Sequence, residues 1–289
     1  MRLLITGVTG FIGKSLLKMI NNHSLDIEIL TLNRDLDKVK KICSSLEHLN
    51  IKHIHTSDLD YIIKFNPEIS IHLAAFSSHK NDISLIEPLL SSNINFGVLL
   101  LNTLIKCPAM KLFINTGSFS EYSGTPYLYS ACKTAFRSFL NYYSNLSGFR
   151  YINAIPYTVY GNDMTVKRVV DYIKESMESK SPIDMTGGEQ VLDFINIDDI
   201  SSFFLNIVSN PYIFYDLKTN GLDFHLGTGV GTSIRNLATI IEEKYNKKCN
   251  INWGGLPYRD SDIMYSVAPL EKNDPSINWK AEFNLFDKI

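Results

Sequence analysis

Short apolar runs alternate with longer amphipathic stretches through the first half of the chain. The runs have the length and composition of buried strands, and the stretches repeat their apolar positions with helical spacing. This alternation predicts a parallel sheet covered by helices on both faces, the doubly wound α/β architecture. The predicted strands are residues 3–6, 27–32, 51–55, 69–74, 111–115 and 151–155, and the predicted helices are 11–20, 36–46, 83–105 and 128–146.

The pattern becomes mixed after about residue 160. Helix-like stretches at 166–177, 200–208 and 234–245 are interspersed with strand candidates at 191–197 and 224–226. The mixture predicts a smaller α/β lobe packed on the carboxyl edge of the sheet. We therefore expect two interleaved parts, residues 1–160 and 161–289.

Composition narrows the class of protein. The 289 residues include 28 basic and 30 acidic ones, giving a formal net charge of -2, and 45% are apolar. This balance lacks the basic footprint of nucleic-acid binding, while the apolar fraction is enough for a continuous core. The opening apolar run is too short for a signal sequence or a membrane span, so we expect a cytoplasmic protein with no membrane partner. The cysteines are scattered and suggest neither a metal site nor a disulfide framework.

Glycines at three-residue intervals follow the first predicted strand and lead into the first helix. Gly7 permits a tight turn, Gly10 lets backbone N–H groups approach a pyrophosphate, and Gly13 lets the helix pack closely on the strand. Between a strand and a helix, this spacing predicts a Rossmann-type dinucleotide site. The predicted contacts are Gly7, Thr9, Gly10, Phe11, Ile12 and Gly13.

The end of the second strand indicates which dinucleotide is bound. NAD-binding proteins place an acidic residue there against the ribose 2′-hydroxyl, whereas this chain has Asn33 and Arg34. A guanidinium can bind a 2′-phosphate in bidentate fashion, so NADP(H) is favoured over NAD(H). Asp35 follows directly, and Arg34 could also be an ordinary solvated residue at a helix start.

Tyr129 and Lys133 are four residues apart, which places them on one face of a predicted helix, one turn apart. A free tyrosine has a pKa of about 10, and a fixed cation beside it favours the phenolate needed for proton exchange with an alcohol or ketone. Ser118 follows a buried strand at the edge where such sheets bind ligands, and its hydroxyl can donate to a carbonyl oxygen. These three residues are the predicted catalytic set, and Lys133 is also predicted to hold the nicotinamide ribose.

Together these motifs resemble the extended short-chain dehydrogenase/reductases, the NAD-dependent epimerase/dehydratase family, over nearly the whole chain. The resemblance implies that Asp58 and Leu59 lie at the adenine and that Leu73, Ala74 and Ala75 line the cofactor. It also implies cofactor contacts from the remaining matching positions, which are Asn95, Thr116, Tyr129, Lys133, Pro156, Tyr157 and Thr158.

Within that family the chain most resembles CDP-abequose and CDP-paratose synthases, which reduce a 4-keto group on a CDP-linked deoxysugar for O-antigen-type polysaccharides. Dehydratases carry an Asp-Glu pair after the catalytic Ser or Thr, but Phe119 and Ser120 stand there in this chain. The resemblance implies a nucleotide-sugar substrate reduced by NADPH. The substrate-binding residues it implies are Ser77, Ser118, Phe119, Ser120, Tyr129, Arg168, Gln190 and Arg259.

Some features depart from this family. Leu192 replaces an arginine that binds phosphate in many relatives, and the interval from Ser118 to Tyr129 is short. The chain also stops where many relatives form a final helix, so we expect a stub there or none.

Other interpretations stay open. A 4-epimerase uses the same residues with a retained cofactor, usually NAD, and a non-catalytic NADP-binding regulator could share the scaffold. Family members form homodimers through the helices that hold Asn95 and Tyr129, although the apolar positions there could equally be ordinary core.

Overall fold

Strands joined by helices make up the chain, as its alternating pattern predicts. A computed structural model describes residues 1–78, 80, 82–124, 127–162, 166–215 and 217–289. The strands are β1 (Arg2–Thr6), β2 (Glu28–Asn33), β3 (Asn50–His55), β4 (Ile69–His72), β5 (Leu112–Thr116), β6 (Arg150–Pro156), β7 (Thr158–Tyr160), β8 (Ile183–Met185), β9 (Val191–Asn196), β10 (Gly221–Leu226), β11 (Gly231–Ser233), β12 (Ile251–Trp253) and β13 (Tyr265–Ser266). The α-helices are α1 (Phe11–His23), α2 (Leu36–Cys43), α3 (Leu59–Phe65), α4 (Ile86–Leu90), α5 (Phe96–Leu104), α6 (Leu128–Ser147), α7 (Val169–Ser176), α8 (Ile197–Ser209), α9 (Tyr212–Tyr215), α10 (Ile234–Tyr245) and α11 (Leu285–Lys288).

Seven parallel strands form the main sheet in the order β3-β2-β1-β4-β5-β6-β10. One hydrophobic core covers the side of α1 and α8, and a second covers the side of α5 and α6. The strand order reverses between β1 and β4, and a crevice opens at the carboxyl ends of strands at such a reversal. The predicted doubly wound architecture is therefore confirmed, and it locates the ligand crevice.

Two smaller sheets lie in the second half of the chain. β9 pairs in parallel with β7 and β13 and antiparallel with β11, while β8 pairs with β12. A separate core that includes Ile173 and Leu237 joins α7 and α10 to these strands. This is the mixed α/β lobe that the irregular pattern predicts.

The strand predicted at 224–226 lies outside that lobe. As β10 it pairs in parallel with β6 and forms the seventh strand of the main sheet. α8 likewise returns to the main sheet, where it packs on α1. The sequence did not reveal this return because the pattern of a strand reflects its burial and not the identity of its partner.

The long helix predicted at 83–105 is interrupted. A π-helical turn, Ser91–Asn95, separates α4 from α5. Within it the buried Asn93 amide nitrogen donates to the carbonyl oxygens of Phe76 and Leu89, at 2.8 and 2.9 Å. Such single π turns frequently occur at functional sites, and this one holds the loop that follows β4.

One segment of the described chain, Ile83–Leu104, is long and apolar enough to cross a membrane by length and composition alone. Its inner face packs in the fold, where Leu100, Leu101 and Leu104 have no exposed surface. Its outer face is uncovered and includes Ile83 and Leu99. The segment is therefore a packed helix of the α/β fold that has one free apolar face.

One helix was not predicted, and one predicted helix begins later than expected. α3 was missed because its seven residues show too little of a helical period. α7 begins at Val169 and not at residue 166, because the Asp171 carboxylate accepts the Arg168 backbone N–H at 2.8 Å and caps the helix there. The last helix, α11, has four residues, the stub expected from the sequence.

Candidate active site

The glycine loop lies between β1 and α1 and is packed too tightly for side chains. Gly7 has a φ of 75°, and a Cβ there would lie 2.5 Å from the Ala74 backbone nitrogen. A Cβ on Gly13 would lie 2.4 Å from the Gly7 carbonyl oxygen. The glycines therefore let the loop approach both the neighbouring strand end and its own helix, as the motif predicts.

The N-terminus of α1 faces the crevice without a side-chain cap from the described residues. Gly10 is the N-cap and is exposed, and Thr9, Phe11 and Ile12 beside it are partly exposed. The first-turn N–H groups of a helix have no intrahelical acceptor, so this end attracts an anion. The loop thus fits the pyrophosphate of a dinucleotide.

The loop after β4 forms the opposite wall of the crevice. The Thr6 carbonyl oxygen accepts the Leu73 N–H at 3.2 Å, and the Thr6 hydroxyl accepts the Ala74 N–H at 3.2 Å. Beyond them Ala75 and Ser77 are exposed. Asn93 holds this loop, a residue that sequence reasoning passed over in favour of the exposed Asn95.

The predicted adenosine end is open to solvent. Arg34 is exposed at the tip of β2, whereas the Asp35 carboxylate accepts the Lys38 N–H at 2.9 Å as the N-cap of α2. The Asn33 amide nitrogen donates to Thr31 inside the fold. Asp58 is exposed before α3, and Leu59 beside it is partly buried. The acid that follows Arg34 is thus engaged with its own helix.

Ser118, Tyr129 and Lys133 come together at the carboxyl end of β5. The Ser118 hydroxyl lies near enough to the Tyr129 phenol to lower the pKa of that phenol. Lys133 lies 5.8 Å from the centre of the Tyr129 ring, and its Nζ donates to the Thr116 carbonyl oxygen at 2.7 Å. The buried Thr116 hydroxyl has no hydrogen-bond partner among the described residues, which leaves a polar atom available to a ligand beside the lysine.

A chain of hydroxyl groups continues inward from Ser118. The Ser118 and Ser120 hydroxyls are 2.8 Å apart, and the Ser130 hydroxyl donates to that of Ser120 at 2.8 Å. Both Ser120 and Ser130 are buried. Ser120, predicted to contact substrate, therefore lies behind Ser118.

Burial dominates the electrostatics of Tyr129. Burial and the Glu121 carboxylate raise the pKa of the Tyr129 phenol, and the Arg168 cation and the Ser118 hydroxyl oppose them only in part. Burial lowers the pKa of Lys133 to about 8, against the opposing effect of Glu121. Desolvation of the charged form thus outweighs the nearby cation Arg168, and the effect of Lys133 on the Tyr129 phenolate stays a prediction.

Aromatic side chains line the next strand end. Tyr157 is buried, stacks on Phe119 with ring centres 5.7 Å apart, and has its hydroxyl 3.3 Å from His225 Nδ1. Pro156 and Thr158 on either side are partly exposed. The predicted cofactor residue Tyr157 thus supports the predicted substrate residue Phe119.

The remaining predicted substrate residues belong to the C-terminal lobe or its entrance. Arg168 is exposed and acts electrostatically on Tyr129, and it lines a cavity with Lys167 and Lys174. Arg259 is exposed in a turn whose Ser261 carbonyl oxygen accepts the Tyr127 hydroxyl at 2.7 Å, close to the start of α6.

Gln190 is partly buried at the start of β9, and its side-chain oxygen lies 3.4 Å from the Thr186 hydroxyl.

Sequence reasoning also missed Glu121 and Arg137. Glu121 accepts the Ser118 backbone N–H at 2.6 Å, and Arg137 donates to Glu121 at 2.6 Å. A signal was present, because Ser118 and Glu121 have the Ser-x-x-Glu spacing of a capping box.

In the described part of the chain, no group of histidine, cysteine or acidic side chains is placed to hold a metal ion. Cys43, Cys107, Cys132 and Cys249 are free thiols, and burial raises the pKa of each. None of them has the lowered pKa of a reactive nucleophile.

Comparison with known families gives one match that covers most of the chain. The model of the NAD dependent epimerase/dehydratase family matches residues 3–213. Among curated proteins, the CDP-abequose synthase of Salmonella typhimurium is 27% identical over 296 residues, covering 97% of this chain and 93% of that protein. A protein of Methanocaldococcus jannaschii named putative UDP-glucose 4-epimerase is 24% identical, and the alignment covers 99% of this chain and 95% of that protein.

Solved structures share the fold over the full length. A UDP-glucose-4-epimerase from Stenotrophomonas maltophila, with bound NAD and formylated UDP-arabinopyranose, superposes with a TM-score of 0.83. It is 17% identical, and the alignment covers 100% of this chain and 95% of that one.

Proposed function

The chain belongs to the NAD dependent epimerase/dehydratase family, the extended short-chain dehydrogenase/reductases, and we propose that within it the protein is an NADPH-dependent reductase of a nucleotide-linked 4-keto-deoxysugar. The observation that carries the chemistry is the Ser118, Tyr129 and Lys133 group at the edge of β5, across the crevice from the open N-terminus of α1. The substrate class rests on the near-full-length likeness to CDP-abequose synthase, so CDP is the proposed nucleotide.

NADPH, held by the glycine loop and Lys133, would supply the hydride that the sugar C4 needs. Because the Ser118 hydroxyl lies beside the Tyr129 phenol, both can reach one carbonyl oxygen of a bound sugar. Ser118 polarises that oxygen and Tyr129 gives it a proton, which completes the alcohol. The phenolate that remains takes a proton from solvent, and Lys133 stabilises it and holds the cofactor ribose.

One feature favours reduction with NADPH over epimerisation. Arg34 is exposed at the tip of β2 while Asp35 caps α2, an arrangement that suits the 2′-phosphate of NADP(H), whereas 4-epimerases usually retain NAD.

A 4-epimerase is the second candidate, and the likeness to the epimerase fold and to the Methanocaldococcus protein favours it. It would use the same three residues and regenerate its cofactor in each cycle. A non-catalytic NADP-binding regulator is the third interpretation, but such a protein has no need of the Ser118, Tyr129 and Lys133 group.

The C-terminal lobe is the proposed site for the nucleotide sugar. Arg168 is exposed before α7 and acts electrostatically on Tyr129, and Arg259 is exposed in the turn whose Ser261 accepts the Tyr127 hydroxyl beside the start of α6. Guanidinium groups suit a diphosphate because they form charge-assisted, often bidentate, hydrogen bonds. Residues 1–160 would then bind the cofactor, and residues 161–289 would mainly bind the substrate. The exceptions in the second range are β10 and α8, which pack with residues 1–160.

The protein is also proposed to be a cytoplasmic homodimer with no membrane or nucleic-acid partner. Exposed apolar side chains gather on the neighbouring helices α5 and α6. A second copy of the chain, paired through the same two helices, would cover this face. The members of this apolar face are Leu99, Phe139, Tyr142 and Leu146.

NADPH oxidation, followed by absorbance, tests the proposed function. The substrates are CDP-, dTDP- and GDP-linked 4-keto-6-deoxy or 4-keto-dideoxy sugars, generated in place by their dehydratases. We expect turnover with one nucleotide series and its loss in Tyr129→Phe. Cofactor binding without oxidation of NADPH by any sugar would instead favour the epimerase, and identical behaviour of wild type and Tyr129→Phe in every assay would favour the regulator.

A further inference from the structure

Glu121 lies directly behind Ser118. Its Oε1 accepts the Ser118 backbone N–H at 2.6 Å, and only 3% of its side chain is exposed. The Ser118 hydroxyl caps the same short 3₁₀ turn, so the two residues cap each other. A carboxylate buried this deeply requires a partner, because an unpaired buried charge is strongly destabilising.

Arg137 of α6 is that partner. Its Nε donates to Glu121 Oε2 at 2.6 Å, and its Nη1 donates to Asp223 Oδ2 at 2.9 Å. The Tyr122 hydroxyl donates to Asp223 Oδ2 at 2.6 Å and accepts from Arg137 Nη2. One guanidinium thus joins the turn after β5 to β10.

Two asparagines connect this group to the main sheet. Asn153 Nδ2 donates to Asp223 Oδ1 at 3.2 Å, and Asn115 Nδ2 donates to Asn153 Oδ1 at 2.7 Å. A Cβ on Gly117 would lie 2.8 Å from both Asn153 Oδ1 and Glu121 Oε1, so a glycine lets the backbone before Ser118 pass between them. The backbone of Ser118 is therefore fixed to β5, β6 and β10 together.

The Glu121 charge also reaches the other two site residues. The Glu121 carboxylate raises the pKa of Tyr129, and the Arg168 cation opposes this effect. It also raises the pKa of Lys133, in the same direction as the Cys132 side chain. Burial has the larger effect in both cases. Removing the carboxylate should therefore make both groups lose their protons at lower pH.

We propose that Glu121, held by Arg137, is a positioning residue that fixes the Ser118 backbone and supplies a negative charge to the Tyr129 and Lys133 pair. This role rests on the proposed reductase function, in which Ser118 polarises the carbonyl and Tyr129 delivers a proton. Glu121 does not touch substrate, because both of its oxygens are engaged within the fold. For the same reason it is not available as the acid or base of a dehydration.

Glu121→Gln tests the proposal, since it keeps the shape of the side chain and removes its charge. We expect kcat to fall about tenfold, with little change in the KM for the keto-sugar, because a glutamine has one acceptor oxygen and cannot accept from both the Ser118 N–H and Arg137 Nε. The pH at which kcat/KM begins to fall on the alkaline side should decrease by at least about half a unit. This is the shift expected when the nearby Glu121 charge is removed at an effective dielectric constant of about 20. A loss of stability alone would not move this alkaline limb of the profile.

Glu178→Gln is the matched control, because Glu178 is an exposed carboxylate paired with Lys247 and far from these contacts. It should behave as wild type. Glu121→Asp is the second variant: it keeps the charge but shortens the reach to Ser118, so kcat should fall while the alkaline limb stays in place. If Glu121→Gln does not fold, wild-type kcat in Glu121→Asp would overturn the proposal.

The pH dependence of NADPH binding, measured by calorimetry, separates this proposal from the proposed function. Lys133 is predicted to hold the ribose as a cation, so binding by Glu121→Gln should weaken at a lower pH than binding by wild type. If wild type reduces no keto-sugar but this shift is found, the reductase function fails, while the electrostatic effect of Glu121 on Lys133 stands. If wild type is a reductase and Glu121→Gln matches it in rate and in both pH profiles, the positioning role fails.

Discussion

The hydroxyl of Ser120 lies 2.8 Å from that of Ser118 and is itself held by the Ser130 hydroxyl. A serine that polarises a carbonyl must present its proton in one direction, and a free hydroxyl rotates. The inner hydroxyl groups restrict that rotation by hydrogen bonding, so Ser118 is oriented before substrate arrives.

Ser120→Ala should therefore lower kcat about three- to tenfold and leave both KM values near wild type, the effect of losing one hydrogen bond of about 1 kcal/mol. Steady-state kinetics with the preferred keto-sugar provides the measurement. Ser276→Ala, at an exposed serine bonded to Asp274, is the control. A wild-type kcat in Ser120→Ala would mean that Ser118 does not depend on this chain of hydroxyls.

The choice of cofactor depends on Arg34. Arg34→Ala removes the cation proposed to bind the 2′-phosphate, so the Kd for NADPH should rise tenfold or more, while the Kd for NADH should change less than about twofold. Calorimetric titration of both cofactors checks this prediction. Lys38→Ala on α2 provides a matched loss of charge nearby, and an equal weakening of both cofactors by Arg34→Ala would contradict the proposed role.

Local patterns in the sequence predicted most of the candidate cofactor site. The glycine loop and the Tyr129 and Lys133 pair are each set by spacing within one turn or one helix, and such spacing is visible without a fold. The links of Glu121 to Arg137 and of Arg137 to Asp223 are not visible in this way. They join positions on different elements, and only the pairing of β10 with β6 brings Asp223 to the site.

Asp193, which follows the departing residue Leu192, shows the same limit. Its buried carboxylate accepts the backbone N–H groups of Thr228, Gly229 and Ala268. The loops that it holds lie well beyond it in sequence. Its role in joining the lobe to the main sheet could therefore be found only from the structure.

The pKa of Lys133 predicts the pH range of the enzyme. Burial lowers this pKa to about 8, so the free protein loses the lysine charge as the pH rises through that value. Because kcat/KM reports the ionisation of free enzyme, kcat/KM for NADPH should be level below about pH 7 and decline above about pH 8. A profile that stays level to pH 10 would show that the Lys133 cation is not needed for cofactor capture.

The apolar face on α5 and α6 predicts the oligomeric state. Light scattering should give about twice the chain mass of 32.8 kDa for wild type and a single chain for Leu99→Arg, because a buried unpaired cation disfavours the interface. Val230→Arg changes an exposed apolar residue outside α5 and α6 and should stay dimeric. A monomeric wild-type protein would contradict the prediction that a second copy of the chain covers the apolar face.

Transfer of deuterium from NADPH labelled at the transferred position of the nicotinamide tests the central claim most directly. The protein is incubated with the keto-sugar that it turns over, and the product is analysed by mass spectrometry and NMR. A reductase built on Ser118, Tyr129 and Lys133 should place one deuterium at the sugar C4 for each NADPH oxidised, and Tyr129→Phe should abolish the transfer. A keto-sugar left unreduced at C4, with no deuterium incorporated and no net oxidation of NADPH, would contradict the account.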